Sequence, residues 1–297
     1  MSLLENILEK VESKNPRHGK KLRNSLSGLD DDYYQNAESF FKRYQSFAEN
    51  NGKTLDYGVN SYLKVVSDTL YEQIRFHQTG EYSCKSFQDA YDRVYNNPDV
   101  MEYYMHGLLM TQFLWKHHYS ILNFFRDTLP GLKQNISNYL EIGGGHGLYL
   151  SEAMRLLKDD TEFHMVDIST SSLDMAKQFV GTGKVKYMLQ DIYKYEKDSS
   201  YEFITMGEVL EHVEDPLGLM QQIHRLLKDD GYAFITAPAN APAIDHISLF
   251  ESADDIREIF KNAGFKVVKD LALYTEKAKK GTENVKIPLM YGALIKK

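Results

Sequence analysis

The segment YLEIGGGHGLYL places four glycines directly after a short apolar run. Gly143, Gly145 and Gly147 leave a stretch of backbone that a ligand can approach closely. Glu141 stands just before this turn, where its carboxylate disfavours a pyrophosphate but suits a ligand with an ammonium or sulfonium group. The pattern therefore predicts a strand, a tight turn and a helix that together bind a positively charged small molecule.

The spacing of the glycines argues against a dinucleotide site. A dinucleotide-binding turn reads G-x-G-x-x-G and holds the pyrophosphate at a helix N-terminus. Here Leu148 stands at the third glycine of that pattern, and the glycines instead read G-x-G-x-G. S-adenosylmethionine carries both an ammonium and a sulfonium group, so it meets the charge requirement better.

Alternating strands and helices are expected to position this turn from residue 138 onward. Regular alternation of this kind predicts a parallel sheet with helices on both faces. Asp215 followed by Pro216 predicts one helix start, and Ser252 with Asp255 predicts a capping box at another. The predicted strands are 139–142, 162–166, 185–189, 203–206, 232–237, 265–273 and 287–295, and the predicted helices are 147–157, 171–180, 216–228 and 253–263.

The two ends of the chain depart from this alternation. The last two predicted strands have no helix between them, so an antiparallel hairpin is expected, with 276–286 as a solvated loop. Residues 1–130 are rich in aromatic residues at helical spacing and predict an all-α region. In its strongest segment, 99–125, Gly107 is the expected place for a break or close packing.

Four motifs in order resemble those of class I S-adenosylmethionine-dependent methyltransferases. LEIGGGHG matches their E/D-x-G-x-G-x-G motif, FHMVDIS and MLQDIY supply acids at the next two strand ends, and FITMGEVLEHVEDP resembles the ubiquinone and menaquinone methyltransferase group. The family often has an acid or Asn where Met206 and Gly207 stand. The resemblance covers about residues 138–297.

The resemblance implies a fold and a domain division. The fold is α/β, with a Rossmann-like seven-stranded sheet that ends in an antiparallel hairpin, preceded by an all-α amino-terminal region. Residues 1–130 are expected to form a helical substrate, lid or dimerisation region. Residues 131–297 are expected to form the domain that binds S-adenosylmethionine as cofactor.

The resemblance also implies a set of cofactor contacts, each with a simpler structural alternative. Glu141 could instead pair with a distant base, Asp167 could merely cap the helix near Ser171, and Asp191 could be an exposed turn acid. The implied contacts run from the methionine end through the ribose to the adenine: Glu141, Gly143, Gly145, Gly207 and Glu208 for the methionine end and turn, Asp167 for the ribose, and Ile168, Asp191 and Ile192 for the adenine.

Two histidines are the candidate catalytic bases. An acceptor hydroxyl or ammonium must lose a proton, and histidine suits this role near neutral pH. His246 follows the fifth strand at the carboxyl edge of the sheet, beside Asp245. His212 follows the fourth strand, where a structural hydrogen bond that fixes the loop is the alternative role.

The helical region supplies the candidate acceptor pocket. Helices before the first strand often cover the acceptor in this family, and Tyr103, Tyr104, His106 and His118 are the expected substrate-binding residues. The alternative is that most of these side chains form a helical core. A zinc or iron site using His106, His117 or His118 is a further alternative, but these histidines lack spacing of the H-E-x-x-H kind, so no metal site is expected.

The composition and net charge limit the partners and the compartment expected for this protein. The formal charge of −7 gives no general attraction to nucleic acid or to an anionic membrane, and one cysteine, Cys84, fits a reducing compartment. No apolar run of about 18 residues suggests a membrane span. We therefore expect a cytoplasmic protein, compatible with a homodimer.

The expected activity is methyl transfer from S-adenosylmethionine to a hydroxyl or amine of a small-molecule acceptor, in biosynthesis. The alternatives are a protein or RNA methyltransferase and a non-catalytic cofactor-binding scaffold. The missing basic stripe and the missing N/D-P-P-[YF] motif after the fourth strand weigh against a macromolecular acceptor.

Overall fold

A seven-stranded sheet organises the second half of the chain in the computed structural model, which describes residues 1–181, 183–275 and 286–297. The strands lie in the order β3-β2-β1-β4-β5-β7-β6. The first five are parallel, and β7 runs antiparallel between β5 and β6. The strands are β1 (Asn138–Ile142), β2 (Glu162–Asp167), β3 (Val185–Leu189), β4 (Tyr201–Gly207), β5 (Leu227–Ala239), β6 (Lys266–Tyr274) and β7 (Leu289–Lys296).

Helices precede the sheet and cover both of its faces. Short 3₁₀ turns follow α7, β3 and β4, and a π-helical turn (Tyr91–Tyr95) continues α5. The helices are α1 (Leu3–Lys14), α2 (Pro16–Leu26), α3 (Asp31–Asn50), α4 (Leu55–Thr79), α5 (Phe87–Ala90), α6 (Pro98–Leu114), α7 (Lys116–Thr128), α8 (Leu148–Leu156), α9 (Thr170–Val180), α10 (Pro216–Leu226) and α11 (Ala253–Asn262). The α/β fold expected from the sequence, with its helical amino-terminal region and terminal hairpin, is therefore confirmed.

Both predicted helix starts are present. The Asp215 side chain accepts a hydrogen bond from the backbone of Gly218, with Pro216 in the first turn of α10. At α11, Ser252 and Asp255 form the reciprocal capping box. These caps satisfy backbone N–H groups that have no partner within the helix.

The 99–125 segment divides at a residue other than the expected glycine. The break between α6 and α7 lies at Trp115, whose backbone is extended. Gly107 lies inside α6, where an added Cβ would lie 2.5 Å from Val65 Cγ2 and 2.7 Å from the Ser61 carbonyl oxygen. Gly107 therefore allows α6 to pack closely on α4 and does not interrupt the helix.

The hydrophobic cores place the helical region against the glycine turn. The core of α1, α3, α4, α6 and α7 continues into Leu148, Met175 and Phe179 of α8 and α9. Helices α10 and α11 pack on one face of the sheet, and α7, α8 and α9 pack on the other. The predicted division near residue 130 is thus bridged by continuous packing.

The strand bounds differ from expectation mainly at β5. This strand begins at Leu227, five residues early, because Leu227 already pairs with Tyr201 before the register shifts. The predicted loop over 276–286 lies outside the described residues except for Lys286. In the described ranges, no helix is both long and apolar enough to cross a membrane.

A buried ion pair between α7 and α8 tests this packing. Arg126 donates to Glu152 at 2.9 Å, and the two side chains are 15% and 8% exposed. Replacing Arg126 by Met leaves a buried carboxylate with weaker compensation, so we expect a loss of about 2–4 kcal/mol in the free energy of unfolding. Denaturant titration measures this loss.

The matched control is Arg155→Met, which removes the exposed partner of the same carboxylate. We expect it to cost less than about 1 kcal/mol, because a solvent-exposed ion pair stabilises little. Equal losses in the two variants would contradict the assigned role of Arg126.

Candidate active site

The glycine turn between β1 and α8 forms the centre of the site. Gly143 and Gly145 have φ values of +61° and +51°, which L side chains rarely adopt. A Cβ on Gly143 would lie 2.5 Å from Val209 Cγ2 in the loop after β4. A Cβ on Gly145 would lie 3.3 Å from Met105 Sδ of α6. The turn therefore needs glycine at both positions and lies between the β4 loop and the helical region.

Glu141 lies beneath this turn with 2% of its surface exposed. Its Oε2 accepts a hydrogen bond from the Tyr139 hydroxyl at 3.0 Å, and that hydroxyl also lies 2.7 Å from Thr205 Oγ1. Burial, with a smaller contribution from the nearby Asp167 carboxylate, raises the pKa of Glu141 to about 8. A positively charged ligand would lower this pKa again, since it favours the ionised carboxylate.

Asp167 ends β2 and contacts the same turn. Its Oδ2 accepts from the Gly145 N–H at 3.3 Å, and its Oδ1 accepts from the Ser169 N–H at 2.8 Å. Burial raises the pKa of Asp167 to about 6, against these backbone hydrogen bonds. Ser169 caps α9. Asp167 therefore does not have the helix-capping role that was its alternative. Ile168 beside it is 36% exposed.

Asp191 lies after β3 in a more open position. Its Oδ1 accepts from the Tyr193 N–H at 3.0 Å, and its Oδ2 lies 3.6 Å from Lys194 Nζ. Ile192 next to it is buried. The structure thus places Asp191 at a turn on the carboxyl edge, with acceptor capacity left on the carboxylate.

Gly207 and Glu208 begin the loop after β4. Glu208 has a φ of +55°, and its N–H lies 3.1 Å from both the carbonyl oxygen and Oγ1 of Thr236. Thr236 Oγ1 also lies 2.8 Å from Glu208 Oε1. Burial raises the pKa of Glu208 to about 7. Tyr149 is the nearest side chain to Gly207.

The two predicted catalytic histidines meet at one carboxylate. His212 Nε2 lies 3.5 Å and His246 Nε2 lies 3.9 Å from Oε1 of Glu211, which is fully buried. Ile247 and Ser248 donate backbone hydrogen bonds to the Glu211 carbonyl oxygen at 2.8 and 2.9 Å. The loops after β4 and β5 are thereby held together at the carboxyl edge.

Backbone carbonyls fix the orientation of both rings. His212 Nδ1 donates to the Asp245 carbonyl oxygen at 3.0 Å, and His246 Nδ1 donates to that of Ala241 at 2.6 Å. A carbonyl oxygen can only accept, so each neutral ring carries its proton on Nδ1 and presents a free lone pair at Nε2. Burial lowers the pKa of His246 to about 3. The structural hydrogen bond considered for His212 is present, and it leaves Nε2 free.

The helical region closes over this group through Asp245. Tyr104 of α6 donates to Asp245 Oδ1 at 3.0 Å, and Tyr95 donates to Oδ2 at 3.2 Å. The Tyr82 hydroxyl accepts from the Ala241 N–H at 3.2 Å, and its ring lies 5.7 Å from that of His246. Neutral hydroxyls therefore hold the loop that carries His246.

The other helical candidates lie in different surroundings. Tyr103 is half-buried and donates to Asp68 at 3.0 Å. His106 is bonded to the Tyr44 hydroxyl at 2.8 Å, and His118 to Thr111 at 2.9 Å, both within the helical core. Of the four expected pocket residues, the structure joins Tyr104 to the histidine group through Asp245.

Sequence reasoning named neither Glu211 nor Thr236 as a site residue. Glu211 lies three residues after Glu208 and directly before His212, and this E-x-x-E-H spacing was the available signal. Asp245 was noted only as the neighbour of His246.

The site residues fit a nucleoside with a charged amino-acid tail. The bare turn admits close backbone approach, Asp167 keeps lone pairs free for hydroxyl donors, and Glu141 lacks a cationic partner in the described residues. In parallel α/β sheets, ligands bind outside the carboxyl ends of the strands, where these groups converge.

A family model described as a methyltransferase domain matches residues 114–270, just over half of the chain. The chain belongs to the methyltransferase-domain family. The resemblance to class I S-adenosylmethionine-dependent methyltransferase enzymes is therefore confirmed, and S-adenosylmethionine is the cofactor of this domain.

One curated relative and two solved structures are similar to this methyltransferase. The chain is 31% identical over 122 residues to a ubiquinone biosynthesis O-methyltransferase from Xanthomonas campestris pv. campestris (strain B100). The match covers 40% of this chain and 48% of that one. The chain thus spans about half the length of the curated relatives it matches.

Similarity to a solved structure bears on the fold alone. A putative sarcosine dimethylglycine methyltransferase from Galdieria sulphuraria has a TM-score of 0.50 and 15% identity, over 60% of this chain and 86% of that one. A SAM dependent methyltransferase from Aquifex aeolicus has a TM-score of 0.48 and 18% identity, over 67% and 98%.

Cofactor affinity should depend on the protonation of Asp167. A neutral carboxyl group accepts hydroxyl donors less well, and burial places this pKa at about 6. We expect the Kd for S-adenosylhomocysteine to rise by up to about tenfold per pH unit below that value. Calorimetry from about pH 5 to 8 measures it.

The Asp167→Asn variant is the control, because its side chain does not titrate. We expect weak binding with no inflection near the Asp167 pKa. The same inflection in this variant would assign the titration to another group.

Proposed function

We propose that this methyltransferase transfers a methyl group from S-adenosylmethionine to a hydroxyl or amine of a small-molecule acceptor in biosynthesis. The observation that carries the proposal is the convergence of the glycine turn, Glu208 and the histidine pair at the carboxyl edge of the sheet. A donor site and an acceptor-activating site thus lie on neighbouring loops.

We assign the cofactor contacts along the sheet edge. Glu141, Gly143, Gly145, Gly207 and Glu208 surround the methionine end, Asp167 holds the ribose, and Ile168, Asp191 and Ile192 line the adenine. Bound S-adenosylmethionine supplies a sulfonium methyl group, whose carbon–sulfur bond breaks as the bond to the acceptor oxygen or nitrogen forms. The chain aligns the reactants and excludes water.

Acceptor activation falls to the histidine pair. The acceptor loses one proton, and the Nε2 lone pair of His246 or His212 can take it directly. The backbone bonds to each Nδ1 hold both rings in the required tautomer. Tyr95 and Tyr104 position this arrangement through Asp245.

The helical region that covers the site favours a small-molecule acceptor. Tyr82, Tyr95 and Tyr104 lie across the loop that carries His246, and all three are mostly buried. A pocket enclosed by aromatic side chains suits a compact, partly apolar molecule. We propose that Tyr103, His106 and His118 belong to the same helical region over the acceptor, farther from the histidine pair. The partial likeness to a ubiquinone biosynthesis O-methyltransferase also supports a hydroxyl acceptor.

The deciding experiment follows a labelled methyl group. The chain is incubated with methyl-labelled S-adenosylmethionine and, separately, with a metabolite extract, total RNA and a protein fraction. We expect label only in low-molecular-weight products. Label in RNA or protein would support the macromolecular alternative, and no label together with S-adenosylhomocysteine binding would support a scaffold.

The role of His246 is tested by replacement with Ala. We expect kcat to fall about 100-fold or more, with affinity for S-adenosylhomocysteine within about threefold of the original. Turnover and calorimetry measure the two effects. The control is His224→Ala near the carboxyl end of α10, at the opposite edge of the sheet, which should change neither. Unchanged turnover in His246→Ala would remove it from acceptor activation.

A further inference from the structure

We propose that Glu211, His212 and His246 form a binding site for a divalent transition-metal ion, with zinc the best match. One ligand atom from each of the three residues lies within 4.8 Å of the other two. The site draws on loops after two neighbouring strands, so it was not apparent from the histidines of the helical region.

The first argument is that the group contains only acceptors. Both Nδ1 atoms donate to backbone carbonyls, so both Nε2 atoms face Glu211 as lone pairs. Neither Glu211 oxygen has a hydrogen-bond partner among the residues that the structure describes, although Glu211 is fully buried. When Glu211 is ionised, three lone pairs converge without a proton between them, and a cation supplies the bonding partner that they lack.

The second argument is the support behind each ring. A metal-binding histidine characteristically donates its other ring N–H to a carboxylate or a backbone carbonyl, which fixes the tautomer and the ring direction. His212 and His246 both show this arrangement, and their rings lie 4.8 Å apart at 83°. The two loops are therefore built to hold the rings in place.

The third argument is the spacing. Zinc binds nitrogen and carboxylate oxygen at about 2.0–2.1 Å, so tetrahedral ligand atoms lie roughly 3.4 Å apart. The Glu211 Oε1 distances to His212 Nε2 and His246 Nε2 are 3.5 and 3.9 Å. Small side-chain rotations would bring all three atoms to coordinating distance.

The fourth argument is the surrounding charge. Glu208 lies three residues before Glu211, and Asp245 Oδ2 lies 3.6 Å from His212 Nδ1. Among the described residues, the ion pairs of Glu211 and Asp245 involve only the two histidines. Buried carboxylates of like charge without a lysine or arginine partner favour a bound cation.

Two histidines and one glutamate match the ligand set of catalytic zinc sites, which keep a fourth position open. Resting on the proposed function, we infer that this position takes the acceptor oxygen. Coordination lowers the pKa of the hydroxyl, so its proton passes to solvent on binding. With the ion bound, both Nε2 lone pairs are occupied, so the ion replaces the histidine base in activating the acceptor and the histidines act as its ligands. The favoured acceptors then carry a hydroxyl, alone or with a neighbouring oxygen.

The test measures binding without turnover. The full chain is treated with a chelator, dialysed and titrated separately with Zn²⁺ and Co²⁺, with a chelating dye as competitor. We expect one ion per chain and visible absorption from tetrahedral Co²⁺. The variants His246→Ala and Glu211→Gln should weaken zinc binding by about 100-fold and about tenfold or more.

The variant His224→Ala is the control for a histidine outside the proposed site and should bind zinc like the original chain. Thermal unfolding and S-adenosylhomocysteine calorimetry establish that each variant is folded. Absence of stoichiometric Zn²⁺ and Co²⁺ binding, or equal binding in all variants, would overturn the metal site. Metal binding without methyl transfer to any acceptor would instead overturn the proposed function.

Discussion

The structure depends on carboxylates that are buried at one edge of the sheet, with no cationic side chain beside them in the described part of the chain. Burial raises the pKa values of Glu141, Asp167, Glu208 and Glu211, which means that the folded chain disfavours their charged forms. An arginine or lysine side chain beside these carboxylates would stabilise their charged forms, but it would also cancel the attraction for a positively charged ligand. The unfavourable electrostatic energy is therefore available to a sulfonium, an ammonium or a metal ion on binding.

Tyrosine hydroxyls explain how the fold tolerates this arrangement. Tyr139 donates to Glu141, while Tyr95 and Tyr104 donate to Asp245. A neutral hydroxyl fixes the direction of a carboxylate and repays part of its lost hydration, yet leaves its charge intact. Because Tyr95 and Tyr104 belong to the helical region, the proposed cover over the acceptor and the loop that carries His246 are physically linked. The aromatic richness of residues 1–130 thus serves both packing and the site.

The sequence was most informative where one strand or one turn determines the outcome. The glycine turn and the acids after β1, β2 and β3 could be located because the carboxyl ends of parallel strands share an edge. The group of Glu211, His212 and His246 could not be located in this way. It forms only when two loops 34 residues apart in sequence are held together by backbone hydrogen bonds to the Glu211 carbonyl oxygen. Likewise, Tyr103 and Tyr104 are adjacent in sequence, but the register of α6 turns one toward Asp68 and the other toward Asp245.

Glu208 connects the donor and acceptor halves of the site. Its left-handed backbone is unusual for a side chain other than glycine and costs roughly 1 kcal/mol or more. The cost is offset by Thr236, which accepts from the Glu208 N–H and hydrogen-bonds with its carboxylate. The left-handed residue therefore lies four residues before His212, between a proposed cofactor contact and the histidine group.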